Sequence, residues 1–199
     1  MSGISLNLTK GMTLDLTKKN QGLDKIEIGL GWDMLDGHKG IDLDSLAVLS
    51  GSGSIQNSVN YMRLKTKGIF LNGDNRTGAG DGDDEIITAT LSEIPKSVDR
   101  ISILVNIFNP KQITVKKSFF KSETISENFG LIKNAYIRIV DCRTGNEVCR
   151  YNLTEDGNGY NAFHMADIVR EGSEWVIKAV GEPTNGSIST LEKYIQSKL

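Results

Sequence analysis

"RISILVNIF" (residues 100–108) is apolar from Ile101 onward except at Ser102 and Asn106, and Asn109-Pro110 closes it. A run this short and this continuous reads as a β-strand buried on both faces, because a strand exposed on one side would alternate polar with apolar residues. Such a strand needs neighbours on either side and a layer above and below it. The sequence around it supplies them.

"KIEIGLGW" (25–32), "IDLDSLAVLS" (41–50), "EIITATL" (85–91) and "EWVIKAVG" (174–181) carry the same strand signature. "AYIRIVDCRTGNEVCRYNL" (135–153) predicts a hairpin: Tyr136, Arg138 and Val140 alternate against Ile137 and Ile139, with the turn near Gly145-Asn146. That pairing would set Cys142 opposite Cys149. "SLNLTKG" and "TLDLTKK" repeat Leu-x-Leu-Thr-Lys eight residues apart, and Lys10-Gly11 between them predicts a second hairpin.

Two segments carry helical spacing. In "NAFHMADIVREG", Ala162, Met165, Ala166 and Val169 share a face and Gly172 stands where helices commonly end, which predicts a helix over about 161–171. Ser189 and Glu192 form a capping box opening a helix over about 189–198, whose Leu191, Tyr194 and Ile195 share a face. The expected fold is all-β: a sandwich of mostly antiparallel strands with these two peripheral helices, as one domain over residues 1–199.

With 23 basic and 25 acidic side chains the net charge is −2, so no domain-wide basic surface is offered to nucleic acid. No segment approaches the ~18 apolar residues of a membrane span, and "MSGISLNLTKGMTLDL" lacks an apolar leader, which sets the expectation of a cytoplasmic protein. Two cysteines are too few for a disulfide framework.

The chemistry concentrates in "GDNRTGAGDGDDE" (73–85). Two carboxylates ~6 Å apart repel by about 3 kcal/mol at an effective dielectric of 20, so crowding them calls for a cation or for water. Asp74, Asn75, Asp81, Asp83, Asp84 and Glu85 are hard oxygen donors, and Gly73, Gly78, Gly80 and Gly82 let backbone carbonyls converge with them. Without His or Cys the loop disfavours zinc and copper and matches the oxygen-rich shell of Ca²⁺. A solvated acidic turn is the bland alternative. Asp42 and Asp44 decide against it: at i and i+2 on a strand they face the same way, about 6.6 Å apart, and are costly beside a core without a partner. The loop is not an EF-hand, since Arg76 and Gly78 fall at its third and fifth positions counted from Asp74.

"SLNLTKG", "IGLGWD" (28–33), "IDLDS" (41–45), "GDNRTGAGDGDDE", "ENFGLIKNAYIRIVD" (127–141) and "EWVIKAVG" resemble the TerD family of tellurium-resistance and stress-response proteins over essentially the whole chain. The resemblance implies a calcium-binding, non-enzymatic β-sandwich, with two bound ions and with other tellurium-resistance and stress proteins as partners. It carries the metal role onto Asp42 and Asp44, then Asp74, Asn75, Asp83, Asp84 and Glu85, with Gly73, Gly78 and Gly80 contributing backbone oxygens. Asp33, closing "GLGWD", ranks lower as a ligand. "NPKQITVKKSFFKSETISE" (109–127) departs from the family by its length and lysines. Lys111, Lys116, Lys117 and Lys121 with Phe119 and Phe120 read as a solvated connection, the sharper alternative being a basic-aromatic patch for a membrane surface or an acidic partner.

His38 and His164 lack partners at ligand or triad spacing and read as surface or helix-face residues, while Trp32 and Trp175 read as core anchors. A different class of function, a phosphoester hydrolase with two bridged cations, uses the same carboxylates, but no general base or arginine clamp is visible beside them.

Overall fold

The computed structural model describes residues 5–35, 40–72, 82–118 and 121–199. Numbered in chain order, one seven-stranded sheet runs β1 (Leu6–Leu8), β13 (Asn146–Asn152), β12 (Ile132–Asp141), β3 (Lys25–Met34), β8 (Glu85–Thr90), β7 (Ile69–Leu71), β6 (Lys65–Thr66). A six-stranded sheet runs β2 (Thr13–Asp15), β15 (Glu174–Thr184), β14 (Ala162–Glu171), β9 (Arg100–Ile107), β4 (Leu43–Gly51), β5 (Ser54–Val59). All described pairings are antiparallel except β1 with β13. The all-β sandwich expected from the sequence is the fold observed.

The inner faces meet in one apolar cluster. Ile26, Ile28, Leu30 and Trp32 of β3 and Ile137 and Ile139 of β12 pack toward Ile101, Ile103 and Val105 of β9, Phe163 and Ile168 of β14, and Trp175 of β15. β9 lies between β4 and β14 and is covered on both faces, by the inter-sheet core on one and by the C-terminal helix on the other, which is why its apolar run is continuous. Its outward Leu104 joins Leu46, Val48 and Ala162 under Ile188, Leu191 and Ile195 of the C-terminal helix α2 (Ile188–Gln196). The predicted helix over 189–198 is therefore present. Its cap is different: Ser187 holds the N-cap, and Glu192 accepts a bond from Ser58 Oγ instead of closing a box with Ser189.

The helix expected over 161–171 is a correction, because Ala162–Glu171 is strand β14. β14 is central, buried from Ala162 to Ile168, and a bulge between His164 and Ala166 shifts its register by one residue. A strand buried on both sides with such a slip imitates helical spacing. Gly172, at φ +65°, turns β14 into β15. The other described α-helix is a single turn, α1 (Leu16–Lys19), formed by the "LTKK" that ends the second of the echoed segments.

Three smaller expectations also change. The echoed strands do not form a hairpin: β1 adds to β13 of one sheet and β2 to β15 of the other, so the chain crosses between sheets at 9–12. Cys149 sits opposite Ile139, in the register set by Ile137–Tyr151 and Arg138–Arg150, and Cys142 lies beyond the last pair, Asp141–Asn146, in the turn; both are free thiols. The 111–127 connection is itself a ribbon of β10 (Gln112–Ser118) and β11 (Lys121–Ser126). Lys111, Lys116 and Lys121 are exposed there, and Phe119 and Phe120 lie outside the described residues. Among the described residues no helix is long and apolar enough to cross a membrane.

Candidate metal centre

Of the sequence-derived ligands, Asp33, Asp42, Asp44, Asp83, Asp84 and Glu85 are described, while Gly73, Asp74, Asn75, Gly78 and Gly80 lie outside the described residues. The acidic segment enters β8 at Glu85, and its last three carboxylates diverge.

Asp83 lies on the outer face of the seven-stranded sheet against Gly29, where an added Cβ would come within 2.1 Å of its Oδ2. Arg138 Nε donates to both of its oxygens at 2.8 and 3.0 Å, and the Tyr136 hydroxyl reaches Oδ1 at 2.9 Å and the Gly82 carbonyl at 2.8 Å. Gly31 leaves the room that the Tyr136 ring occupies, since a Cβ there would meet the ring at 2.4 Å. "IGLGWD" thus has a mechanical meaning: two glycines on one outward face admit a carboxylate and a phenol against the sheet. The bond to Asp83 raises the Arg138 pKa further, and burial with the same bond pushes the Tyr136 phenol up to about 12. Arg150 stacks over Tyr136 at 3.9 Å and, with Arg138, pairs with Glu147.

Asp84 turns the other way. Its N–H donates to Leu30 O at 2.8 Å, and its Oδ2 accepts from Trp32 N–H at 3.0 Å. Burial raises its pKa, and the charges of Asp33 and Asp83 raise it further against the opposing bond from Trp32. A divalent cation would offset that like-charge repulsion.

Glu85 points inward and is 2% exposed, with Oε2 accepting from Ser45 N–H at 2.7 Å. Ser45 belongs to β4 of the other sheet and directly follows Asp44, so the end of the acidic segment is tied to the strand bearing the aspartate pair. Asp44 is 3% exposed, opposite Asn106 on β9, and lines a cleft of about 370 Å³ with Asn161 and Ser187. Asp42 lines an adjoining cleft of about 270 Å³ with Lys111 and Glu127. Phe108 and Asn109 border both.

Asp33 lies apart from this junction. Its Oδ2 accepts from Asn134 Nδ2 at 2.8 Å, and it borders a cleft of about 720 Å³ on the outer face of the seven-stranded sheet with Trp32, Gly82 and Tyr136. Among the described residues no three acidic, His or Cys side chains converge at metal distance. The described half of the site offers hard oxygens at Asp42, Asp44, Asp84 and Glu85, a donor chemistry that fits Ca²⁺. Asp83 is held by an arginine.

Sequence reasoning missed Arg138, Tyr136 and Ser45. Tyr136 and Arg138 were legible only as outward positions of a strand, and Ser45 acts through its backbone, which no side-chain motif reveals. His164, expected at a surface or on a helix face, is 3% exposed on β14, with Nε2 on Asp167 Oδ1 at 2.8 Å. Trp32 and Trp175 are buried as expected, at 3% and 2% exposure.

Residues 4–194 match the family model for the TerD domain. The chain is 35% identical to general stress protein 16U of Bacillus subtilis, over 94% of this chain and 95% of that protein. It is 31% identical to the tellurium resistance protein TerD of Serratia marcescens, over 94% and 95% respectively. The crystal structure of a homologue of telluride resistance protein from Streptomyces coelicolor superposes with a TM-score of 0.66 at 18% identity, over 88% of this chain and 98% of that one, which supports the fold.

Proposed function

The chain belongs to the TerD family of tellurium-resistance and stress-response proteins, and on that premise we propose that it is a cytoplasmic, non-enzymatic calcium-binding module whose acidic loop, once ordered by the ion, presents a surface to partner stress proteins. The observation that carries this reading is the bond from Ser45 N–H to the buried Glu85 carboxylate, which ties the acidic segment to the Asp42–Asp44 strand across the two sheets. Asp42, Asp44, Asp84 and Glu85, completed by Asp74, Asn75 and the carbonyls of Gly73, Gly78 and Gly80, would hold up to two Ca²⁺ ions. Asp33 and Asp83 would contribute charge from the outer face. When bound, calcium supplies neutralisation of crowded carboxylates and no bond-breaking chemistry. Among the described residues the arginine that reaches the acidic segment is Arg138, and it is bonded to Asp83, which counts against its serving as a phosphate clamp in the hydrolytic alternative.

Calorimetric titration of the chelator-stripped protein with Ca²⁺ tests this. Saturable binding is expected, and the native state should gain about 2.7 kcal/mol when free Ca²⁺ stands at 100 times its dissociation constant. Asp44→Asn and Asp84→Asn should lose the binding while keeping the β-sheet circular dichroism. A flat titration with a melting temperature indifferent to chelator overturns the proposal.

A further inference from the structure

The outer face of the six-stranded sheet has a second polar feature, at the opposite end of α2 from Asp44. The Asp44 cleft is bordered by Ile188, where α2 begins; a separate cleft of about 440 Å³ is bordered by Lys198, just past its end. Nine residues of helix at ~1.5 Å per residue set these ends about 13 Å apart.

Asp167 forms its floor, 6% exposed, between Ser102 of β9 and Lys178 of β15 in the strand register. Ser102 Oγ donates to its Oδ1 at 2.6 Å, His164 Nε2 meets the same oxygen at 2.8 Å, and Arg100 Nη1 lies 3.5 Å from Oδ2. Burial raises the pKa of Asp167, but the His164 bond, Ser102 and Arg100 outweigh it and hold the carboxyl below its ordinary value. His164 Nδ1, the other ring nitrogen, is buried beside the cleft without a hydrogen-bond partner among the described residues.

Around this floor stand four permanent cations from four separate segments: Lys10, Arg100, Lys178 and Lys198. Two carboxylates, Asp167 and Glu182, oppose them, and each already has a cation: Arg100 for the first, Lys198 for the second. Lys10 donates one bond to the Gly181 carbonyl, and Lys178 has no ion pair among the described residues. An ammonium carries three donors. The cleft thus has an excess of two positive charges, in a chain whose net charge is −2, and its spare N–H groups approach from several sides.

We propose that this cleft binds the phosphate group of a small phosphomonoester. A tetrahedral oxyanion presents acceptors in several directions, which suits cations arranged around a hollow better than a planar carboxylate does. The volume falls in the ~300–1,000 Å³ range of small-molecule sites and exceeds what a bare ion needs. Asp167 does not repel the ligand, because its charge is neutralised within the floor, and it orients His164 with Nδ1 as the remaining polar atom at the base.

The test is calorimetry in chelator-containing buffer at low ionic strength, which keeps it independent of calcium. The probes are inorganic phosphate, glycerol phosphate and adenosine monophosphate. Saturable binding is expected with a dissociation constant of about 1 mM or tighter, at least one phosphomonoester binding more tightly than inorganic phosphate. The exposed pair Lys10→Ala and Lys178→Ala, combined, should weaken binding by tenfold or more with unchanged circular dichroism and melting temperature. Absence of saturable binding, or binding retained in the double variant, overturns the site. Phosphomonoesters binding no more tightly than inorganic phosphate overturn the assignment of an organic ligand.

Discussion

At Gly29 the added methyl of an alanine would fall 2.1 Å from Asp83 Oδ2, a distance no Cβ tolerates, and the carboxylate could only leave its place on Arg138. Asp83 is 4% exposed at its side chain and Arg138 29%, so the pair is shielded from water on one side and reached by it on the other. Discounting for that screening, Gly29→Ala and Arg138→Met should each cost on the order of 2–3 kcal/mol in urea denaturation, by displacing the carboxylate or by leaving it unpaired. Since both remove one interaction, the double variant should cost little more than either single change. Additive losses would show that Gly29 and Arg138 act separately. No strand propensity reveals this use of glycine: "GLG" inside a strand is a weakness until the carboxylate lying over it is known.

The α2 helix is the element most fully read from its sequence. Its apolar spacing named Leu191, Tyr194 and Ile195, and the structure buries Leu191 and Ile195 on the strip made by Leu46, Val48, Leu104 and Ala162. Leu191 is 0% exposed, so Leu191→Ala should destabilise the protein by about 2–4 kcal/mol in guanidinium unfolding, from lost burial and the cavity left behind. A loss below ~0.5 kcal/mol would mean that α2 is not part of the cooperative unit. β14 shows why other elements were harder. Burial on both faces removes the alternation that marks a strand, and the bulge at His164/Ala166 replaces it with intervals of three. The parting of β1 and β2 into different sheets was likewise not written in their repeat, because pairing partners for so short a strand are chosen by distant edges. For the candidate site, oxygen donor types were legible in sequence; the divergence of Asp83, Asp84 and Glu85 was not, since it depends on which strand's outer face lies under each.

Across the whole molecule, the two sheets share one apolar core and carry the ion-pair networks of Glu147, Asp167 and Glu182 outside it, so acid should attack these networks from both outer faces. Glu147 serves the seven-stranded sheet: burial works against its ionised form, but Arg150, Ser5 and Arg138 lower its pKa below the ordinary 4.5. Asp167 serves the six-stranded sheet and lies below 3.8, held there by His164, Ser102 and Arg100 against burial; Lys198 lowers Glu182 below 4.5 on the same side. In all three the folded pKa is below the unfolded one, so the native state binds fewer protons than the unfolded chain and is favoured above these ordinary values. That stability is lost as pH falls through the folded pKa values, which places the acid limb below 4.5 for the two glutamates and below 3.8 for Asp167. Asp84, raised by burial and by Asp33 and Asp83, acts in the opposite sense and makes the limb shallower, because its proton is bound more readily in the folded protein. Acid titration of the chelator-treated protein, followed by circular dichroism at several denaturant concentrations, reads these contributions. Asp167→Asn should flatten the dependence of stability on pH below 3.8, and Glu147→Gln below 4.5, each at the cost of lower stability near neutrality. Acid limbs of unchanged slope in both variants would place the proton-sensitive groups elsewhere and remove the outer-face networks from the account of what holds the two sheets in their native form.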